Sequence, residues 1–327
     1  MVTELSPSQF RELASRIETE VGRVIVGQRD VVRHTLVSLL ADGHLLLEGL
    51  PGLGKTMLVR TLAAVLQLDF TRVQFTPDLM PADIVGTDVL ELSDAGERHF
   101  RFHQGPVFTN LLLADEINRA TPKTQSALLE AMQERQVSMG GKTYPLTVPF
   151  LVLATQNPIE LEGTYPLPEA QLDRFLFKVK VGYPSAEELS EIMARTTGVE
   201  TPTVTPVADA DVILAMQALA RGVPAATPVS AYVARLVVAT HPDTLDAPDL
   251  VRQAVRYGAS PRGAQALLLG AKVTALLAGR YNVSLEDVRA VAPAALRHRL
   301  ILTYEAEAEG VDADAVIAAL LEAIPEP

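Results

Sequence analysis

The fold is decided by one stretch, Gly49-Leu50-Pro51-Gly52-Leu53-Gly54-Lys55-Thr56, a complete match to the pattern G-x-x-x-x-G-K-[ST]. A short apolar run, His44–Glu48, precedes it, and a predicted helix, Met57–Leu66, follows it. This order indicates a phosphate-binding loop, because glycine lets the backbone wrap around an anion and the N–H groups at the helix start point at it. Lys55 is expected to reach the β- and γ-phosphates, and the Thr56 hydroxyl to bind Mg²⁺.

Composition limits the class of protein. The 327 residues exceed the usual extent of one hydrophobic core, so we expect two domains. The formal net charge of −12 argues against a broad nucleic-acid-binding surface, which needs clustered Lys and Arg. The chain has no cysteine, no apolar run of membrane-spanning length and no basic-then-apolar leader at its start. We therefore expect a cytoplasmic protein without a membrane span, a disulfide or a thiolate metal site.

A second chemical element is Leu111–Glu116, an apolar run that ends in two carboxylates. Buried strands rarely end on adjacent like charges unless a cation satisfies them. With a phosphate loop upstream, Asp115 is expected to hold Mg²⁺, usually through its water, and Glu116 to polarise an attacking water. Taken alone, the pattern is also typical of a strand end followed by a solvated turn.

The strand predicted over Phe150–Thr155 is followed by Asn157, whose amide would face the crevice at the end of a parallel sheet. A turn-forming Asn-Pro pair is the alternative. Further along, Arg174 precedes the last predicted core strand, 176–181. From its neighbours alone, Arg174 could be only an ion-pair partner of Asp173 or Glu169.

Two hairpins are predicted as insertions. Within the long connection 76–110, strands over Asp88–Leu92 and Arg98–Phe102 flank the turn Ser93–Glu97. The interpretation we prefer for Phe100 and Phe102 is one packed face of this hairpin. The second hairpin spans Gln136–Leu146 and is turned by two glycines.

A domain boundary is predicted at Gly182, where the strands stop and Ser185 opens a helix with a capping box. From there to the end, the sequence predicts helices. Arg262 follows Ser260-Pro261 in the first turn of one of them, where a cation opposes the helix dipole. This placement favours a role at a phosphate, and an exposed arginine of small energetic cost is the alternative.

Together these segments resemble the AAA+ ATPases, and more narrowly the MoxR family. The residues that carry the narrower resemblance are Gln74–Gly86, Ala114–Ala120, Ala154–Pro158 and Pro168–Phe175. The resemblance runs from about Val21 to Ile324. It implies an α/β fold in which an AAA+ core, a parallel sheet flanked by helices with hairpin inserts (1–182), is followed by an all-helical lid domain (183–327).

The resemblance also implies roles for single residues. Asn157 matches sensor 1, Arg174 the arginine finger offered to a neighbouring subunit, and Arg262 sensor 2. The segment Val26–Gln28 matches the part that lies near the adenine. Family members generally form rings, often hexamers, remodel protein clients and are thought to work with proteins that carry von Willebrand factor A domains.

These observations predict a cytoplasmic ATPase that binds ATP and Mg²⁺ in a cleft between core and lid, with Gly49–Met57 around the phosphates. The ring would use ATP hydrolysis to remodel a protein client. Two alternatives belong to other classes: a motor stimulated by nucleic acid, against which the acidic charge counts, and a nucleotide-gated scaffold without turnover, against which Glu116 and Asn157 count. A small-molecule kinase is weaker, because no acceptor site is indicated.

Overall fold

The computed structural model describes residues 5–92, 98–159, 163–198 and 202–326. Its strands are β1 (Leu45–Glu48), β2 (Phe70–Gln74), β3 (Gly86–Leu92), β4 (Arg98–Gln104), β5 (Leu111–Asp115), β6 (Gln136–Met139), β7 (Lys142–Pro145), β8 (Leu151–Gln156), β9 (Phe177–Lys180), β10 (Val255–Tyr257) and β11 (Ile301–Leu302).

Helices precede, separate and follow these strands. They are α1 (Pro7–Gly22), α2 (Arg29–Leu40), α3 (Lys55–Leu66), α4 (Pro81–Val85), α5 (Pro122–Glu134), α6 (Glu169–Leu172), α7 (Ala186–Thr196), α8 (Ala210–Gly222), α9 (Thr227–Val238), α10 (Asp249–Ala254), α11 (Pro261–Leu277), α12 (Leu285–Leu296), α13 (Tyr304–Ala308) and α14 (Ala313–Ala323), with a 3₁₀ turn at Ile117–Arg119.

The centre of the fold is a five-stranded parallel sheet with the strand order β2-β5-β8-β1-β9. The first strand, β1, pairs on one side with β8 and on the other with β9, with Leu45 opposite both Leu153 and Phe177. Nearly continuous apolar strands such as β5 and β8 are buried on both faces, because helices cover the sheet from both sides. The predicted α/β core is therefore confirmed.

Alternate residues of each strand enter two different hydrophobic clusters, as the two-residue period of a strand requires. Leu45 and Leu47 face a cluster that contains side chains of α1, α2, α3 and the helices of the C-terminal half. Leu46 and Leu112 face a second cluster, formed with α5 and the β6–β7 hairpin. The first cluster therefore joins the sheet to the helices that follow it.

Both predicted hairpins form: β3 pairs with β4 and β6 with β7, each antiparallel. The predicted turn Ser93–Glu97 lies outside the described residues. Phe102 stacks on Tyr144 of the other hairpin, with 4.2 Å between ring centroids, whereas Phe100 is 72% exposed. The expectation that both phenylalanines lie on a packed face is therefore wrong for Phe100. The second hairpin packs only against the base of the first one, where Phe102 lies.

The C-terminal half is helical as predicted, apart from one short antiparallel pair, β10 with β11. The sequence pattern did not predict this pair. Each strand has only two or three residues and is held by a partner more than 40 residues away in sequence. The predicted capping box at Ser185 is present, and Ser6 and Ser284 form capping boxes as well. The division into domains at Gly182 stays a prediction.

Among the described residues, no single helix has the length and apolar character of a membrane span. Only α8 and α9 taken together reach that threshold, and they are bent by 92° at their junction.

Candidate nucleotide site

The phosphate loop joins the carboxyl end of β1 to α3. Gly52 and Gly54 have φ angles of 81° and 76°, in the left-handed region that glycine adopts without strain. Gly49 is needed for a different reason, because a Cβ there would lie 2.8 Å from the carbonyl oxygen of Val181. Two glycines therefore shape the loop, and the third lets β1 and the residue after β9 approach each other.

Lys55 is the first residue of α3 and is buried. Its ammonium donates a hydrogen bond to the carbonyl oxygen of Gly49 at 2.5 Å, so it lies across the mouth of the loop. Burial lowers the pKa of Lys55 below its ordinary value, and the carboxylates of Asp115 and Glu116 oppose that shift. The loop and both carboxylates therefore belong to one electrostatic site.

Asp115 ends β5 beside the loop. One carboxylate oxygen, Oδ1, accepts a hydrogen bond of 2.6 Å from the Thr155 hydroxyl of β8. The other, Oδ2, accepts two from Arg72 of β2, at 3.0 Å and 2.7 Å. Because β2 and β8 are the two neighbours of β5 in the sheet, strand order alone brings these partners to Asp115.

Glu116 follows immediately but points elsewhere, because its backbone is left-handed with φ of 57°. Its carboxylate oxygen Oε2 accepts hydrogen bonds from Gln74 at 2.6 Å and from Arg119 at 2.9 Å. Its N–H donates to the Thr155 hydroxyl at 2.8 Å. The two adjacent carboxylates are thus held by different partners.

One cavity of about 400 Å³ brings these groups together. Asn157, which is buried beyond the end of β8, lies in its wall, and its side-chain oxygen accepts a bond of 3.2 Å from the N–H of Ile159. The residues that line the cavity are Pro51, Gly52, Leu53, Gly54, Lys55, Thr56, Met57, Arg60, Arg72, Gln74, Asp115, Glu116 and Asn157. Gly49 and Leu50 precede them in the same loop.

Sequence reasoning assigned no role to Arg72, Gln74, Arg119 or Thr155. A signal was present for the first two, since Arg72 and Gln74 are polar residues two apart near the end of a core strand. No local signal marks Thr155, because its role depends on β8 pairing with β5.

The segment Val26–Gln28 lies between α1 and α2 and contacts the phosphate loop. The Gln28 amide donates a hydrogen bond of 2.9 Å to the carbonyl oxygen of Leu53. Val26 and Gly27 line a second cavity, of about 650 Å³, together with side chains of α1, α2 and α7. The expected cleft between core and lid is therefore only partly present: α7 lines this second cavity, whereas the described residues that line the phosphate cavity all precede residue 158.

Arg174 and Arg262 do not lie with the phosphate loop. Arg174 comes just before β9, at the amino end of the parallel sheet, whereas the loop follows β1 at the carboxyl end. Both arginines line a third cavity, of about 260 Å³, which also contains Arg299. Within the described residues, Arg262, expected at a phosphate, therefore does not line the phosphate cavity of its own chain.

Neither Arg174 nor Arg262 forms an ion pair in the described part of the chain. Arg174 donates one bond of 2.9 Å to the carbonyl oxygen of Leu129, and its buried Nε has no hydrogen-bond partner there. Asp173 instead pairs with Arg299. The guanidinium of Arg262 makes no hydrogen bond or ion pair within those residues. The alternative in which Arg174 is only an ion-pair partner of Asp173 or Glu169 is not what the structure shows.

Comparison with known proteins identifies the family. Residues 44–177 match the model of the ATPase family associated with various cellular activities, and residues 248–320 match the AAA lid domain. A crystal structure from Cytophaga hutchinsonii, of a protein for which ATPase activity has been suggested, superposes with a TM-score of 0.91 at 41% identity, covering 98% of this chain and 97% of that one.

Relatives of similar length agree with this match. Chaperone MoxR1 of Mycobacterium tuberculosis is 48% identical, over 99% of this chain and 86% of that protein. YeaC of Bacillus subtilis is 44% identical, over 96% of this chain and 95% of that protein. Protein MoxR of Methylorubrum extorquens is 32% identical over 98% of this chain and 97% of that protein. With the phosphate loop, the paired carboxylates and the matched lid in place, the chain belongs to the MoxR family of AAA+ ATPases.

Proposed function

We propose that the protein binds ATP with Mg²⁺, hydrolyses ATP to ADP and phosphate, and uses this cycle within a homo-oligomeric ring to remodel a protein client. The observation that carries the proposal is the convergence of Lys55, Asp115, Glu116 and Asn157 in the phosphate cavity. These groups come from separate segments of the chain, and together they supply what phosphoryl transfer to water needs: anion binding, charge neutralisation and a positioned water.

Each group has a separate task. Lys55 and the loop amides hold the β- and γ-phosphates. Glu116 polarises the attacking water, and its bonds to Gln74 and Arg119 fix the direction of its carboxylate. Asn157 completes the wall on the side of the γ-phosphate and orients the water by its amide.

The oxygen donors present fit Mg²⁺. Thr56 and Asp115 line the same cavity, and hydroxyl and carboxylate oxygens are the hard ligands that Mg²⁺ takes, usually together with waters and substrate phosphates. When bound, Mg²⁺ would neutralise charge on the β- and γ-phosphates. Asp115 would hold it through a water, since both carboxylate oxygens already accept hydrogen bonds, Oδ1 from Thr155 and Oδ2 from Arg72.

The adenine belongs in the cavity beside Val26 and Gly27. This cavity adjoins the phosphate loop through the bond from Gln28 to Leu53, and α7 contributes Glu191 and Arg195 to its wall. A nucleotide in this cavity would contact α7, so loss of the γ-phosphate would be transmitted to the helices after Gly182.

Arg174 and Arg262 serve the ATP of a neighbouring subunit in this proposal. They lie at the opposite edge of the sheet from their own phosphate loop, yet neither is neutralised within the described chain. A guanidinium placed on the developing charge of the transferred phosphoryl group raises the rate by roughly 10³–10⁵. A site shared in this way requires a ring or another repeating assembly.

Family membership supports the remaining features. AAA+ proteins assemble as oligomers, and a hexamer is the ring we propose. One relative is named a chaperone, which supports a protein client, and a partner with a von Willebrand factor A domain is the finer proposal. We place the cycle in the cytoplasm. A nucleic-acid motor is not favoured, because the net charge of −12 offers no broad basic surface.

Mixing two inactive variants tests the shared site. A Lys55→Ala subunit has no working pocket but still offers its arginines, and an Arg174→Ala subunit has a pocket but no finger. Phosphate release should return when the two are mixed, although each alone is nearly silent. A mixture as inactive as its components would contradict a finger acting between subunits.

The same mixing design tests whether Arg262 acts on the ATP of its own subunit or on that of a neighbour. If Arg262 acts on the neighbour's ATP, Arg262→Ala mixed with Lys55→Ala should also recover phosphate release. If it acts on its own ATP, no pocket in that mixture is complete and no recovery is expected.

A further inference from the structure

A loop of the C-terminal half holds the segment that carries Arg174. This loop, Arg297–Arg299, follows α12, and its side chains bind backbone carbonyls of Asp173–Lys178. Arg297 donates to the carbonyl of Lys178 at 2.9 Å, and a His298 ring nitrogen lies 3.1 Å from the carbonyl of Phe175. Such contacts fix backbone position rather than side-chain chemistry.

Arg299 makes the densest set of these bonds. Its guanidinium donates to the carbonyls of Asp173, Phe175 and Leu176 at 3.0, 2.7 and 3.1 Å. Its Nε donates to Oδ1 of Asp173 at 2.8 Å. The Arg299 side chain is only 3% exposed, so this is a buried, fully engaged cation.

The second oxygen of Asp173 binds a different element. Oδ2 accepts a hydrogen bond of 2.8 Å from the hydroxyl of Ser260, which is the N-cap of α11. Arg262 lies two residues further on, in the first turn of that helix. The carboxylate of Asp173, the residue before Arg174, therefore contacts the N-cap of the helix that carries Arg262.

Stability is a weak reason for such an arrangement. A buried ion pair often contributes little net free energy, because removing both charges from water offsets their attraction. Placement is a stronger reason, since an error of about 1 Å at a reacting centre can lower a rate roughly 10²-fold. Arg174 has one side-chain bond, to Leu129, and Arg262 has none in the described residues, so the backbone must set where both point.

We propose that Asp173 is a positioning residue: its bonds to Arg299 and Ser260 hold Arg174 and Arg262 on one frame, oriented toward the ATP of the neighbouring subunit. This inference rests on the proposed function. It predicts that Asp173 matters only in the subunit that offers the arginines, and not in the subunit whose pocket turns over.

The mixing assay separates these two subunits. The reference is Lys55→Ala mixed with Arg174→Ala. In the donor arm, Asp173→Asn is added to the Lys55→Ala subunit, which only offers arginines. In the acceptor arm, Asp173→Asn is added to the Arg174→Ala subunit, which only supplies a pocket. Asparagine has the shape of aspartate but lacks the charge that pairs with Arg299.

We expect phosphate release in the donor arm to fall by about 10–10²-fold relative to the reference, and release in the acceptor arm to stay within about twofold of it. Equal activity in all three mixtures would overturn the inference, because Asp173 would then position nothing. Loss in both arms, or in the acceptor arm alone, would also overturn it, since Asp173 would then act on folding or on its own pocket.

Asp287 provides a matched control. Asp287 is a buried carboxylate of the C-terminal half that, like Asp173, binds an arginine, here Arg280, and a helix-capping serine, here Ser284. It lies beyond the carboxyl end of α11, whereas Ser260 precedes the amino end. Asp287→Asn in the donor should lower the melting temperature without lowering recovered activity, and a loss equal to that of Asp173→Asn would mean that any weakened lid pair gives this result.

The reference mixture also keeps the two proposals distinguishable. If the reference itself shows no recovery, the shared site fails and the role of Asp173 falls with it. If the reference recovers and the donor arm recovers equally, only the role of Asp173 fails.

Discussion

Two adjacent carboxylates show how backbone geometry directs neighbouring side chains to different partners. Asp115 is the last residue of a strand, and Glu116 is left-handed, so their side chains diverge toward different partners. The Thr155 hydroxyl binds both residues, Asp115 through its side chain and Glu116 through its N–H. In the proposed mechanism, one φ angle and one neighbouring threonine therefore separate the carboxylate that would bind the metal from the one that would activate water.

The first residue-scale prediction contrasts Lys55 with Glu116. Lys55→Ala should abolish ATP binding, because it removes the buried cation at the loop. Glu116→Gln should keep ATP bound and slow hydrolysis by about 10²–10⁴-fold, because it removes only the group that activates water. Binding of a fluorescent ATP analogue and phosphate release measure the two effects.

Glu12→Gln, on the exposed face of α1, is the matched control and should change neither quantity. Wild-type turnover by Glu116→Gln would show that another group activates the water.

The second residue-scale prediction concerns the buried His44. Burial lowers its pKa from 6.5 to about 3, and Arg135 adds to the effect. The neutral ring accepts a hydrogen bond from the N–H of Val152 and donates one to the carbonyl of Met132, both at 3.1 Å. Below pH 6.5 the unfolded chain therefore takes up a proton that the folded chain refuses.

Stability should accordingly be full above that pH and fall as the pH drops toward 3, by up to about 1.4 kcal/mol per pH unit from this group. His44→Gln should lower the slope of unfolding free energy against pH, and urea unfolding at about pH 7.5 and about pH 5.5 measures it. His99→Gln, at an exposed histidine, is the control. An unchanged slope in His44→Gln would contradict a neutral, buried ring.

At the scale of elements, β9 links the phosphate site to the C-terminal helices. It pairs with β1, which leads into the loop, and its end is tied to α14 by Lys180, which binds Asp312 at 3.2 Å and Asp314 at 2.8 Å. Asp312 also caps α14 by accepting the N–H of Ala315 at 2.9 Å. One aspartate thus starts the last helix and fastens it to the sheet.

Asp312→Ala should lower the free energy of unfolding by about 0.5–2 kcal/mol, because it removes the N-cap. Asp312→Asn should have a much smaller effect, since asparagine caps helices equally well and an exposed ion pair contributes about 0–1 kcal/mol. Urea unfolding at neutral pH compares the two variants. Equal destabilisation by both would assign the effect to the ion pair with Lys180 instead of the cap.

At the scale of the whole molecule, the sheet separates the phosphate loop from the two arginines that, in the proposed ring, serve a neighbouring subunit. The phosphate loop lies at the carboxyl edge, and Arg174 with Arg262 lies toward the amino edge. Both edges share β1 and β9, with the N–H of Val181 bound to the carbonyl of Glu48 at 2.7 Å. In the proposed ring, these two strands would therefore connect each subunit's loop to the arginines that it offers to the next.

A prediction for the assembly follows from this separation. Phosphate release per subunit should rise with protein concentration as rings form, because an isolated subunit lacks the arginine worth roughly 10³–10⁵ in rate. Activity measured over a dilution series, with light scattering to verify the oligomeric state, tests this. Arg174→Ala should stay near zero throughout, and constant activity per subunit on dilution into a verified monomer would contradict the shared site.

The sequence by itself determined the local chemistry of this protein. A phosphate loop needs glycines, a lysine and a helix start within eight consecutive residues. Gly49–Thr56 could therefore be identified without knowledge of the fold. The apolar strands, the capping serines and the carboxylate pair after β5 are equally local signals, since each depends on residues a few positions apart. The α/β core and the positions of Asp115, Glu116 and Asn157 followed from them.

Only the tertiary structure decided which distant groups meet. Arg72 and Thr155 reach Asp115 because β2 and β8 flank β5, and strand order is not encoded in any single strand. The exposure of Phe100 depends on how far along its hairpin the contacts with the rest of the protein extend. Arg174 and Arg262 share one cavity, away from the phosphate loop, because the C-terminal helices dock beside the start of β9. That docking is the sum of many weak apolar contacts spread over the chain, which no short motif records.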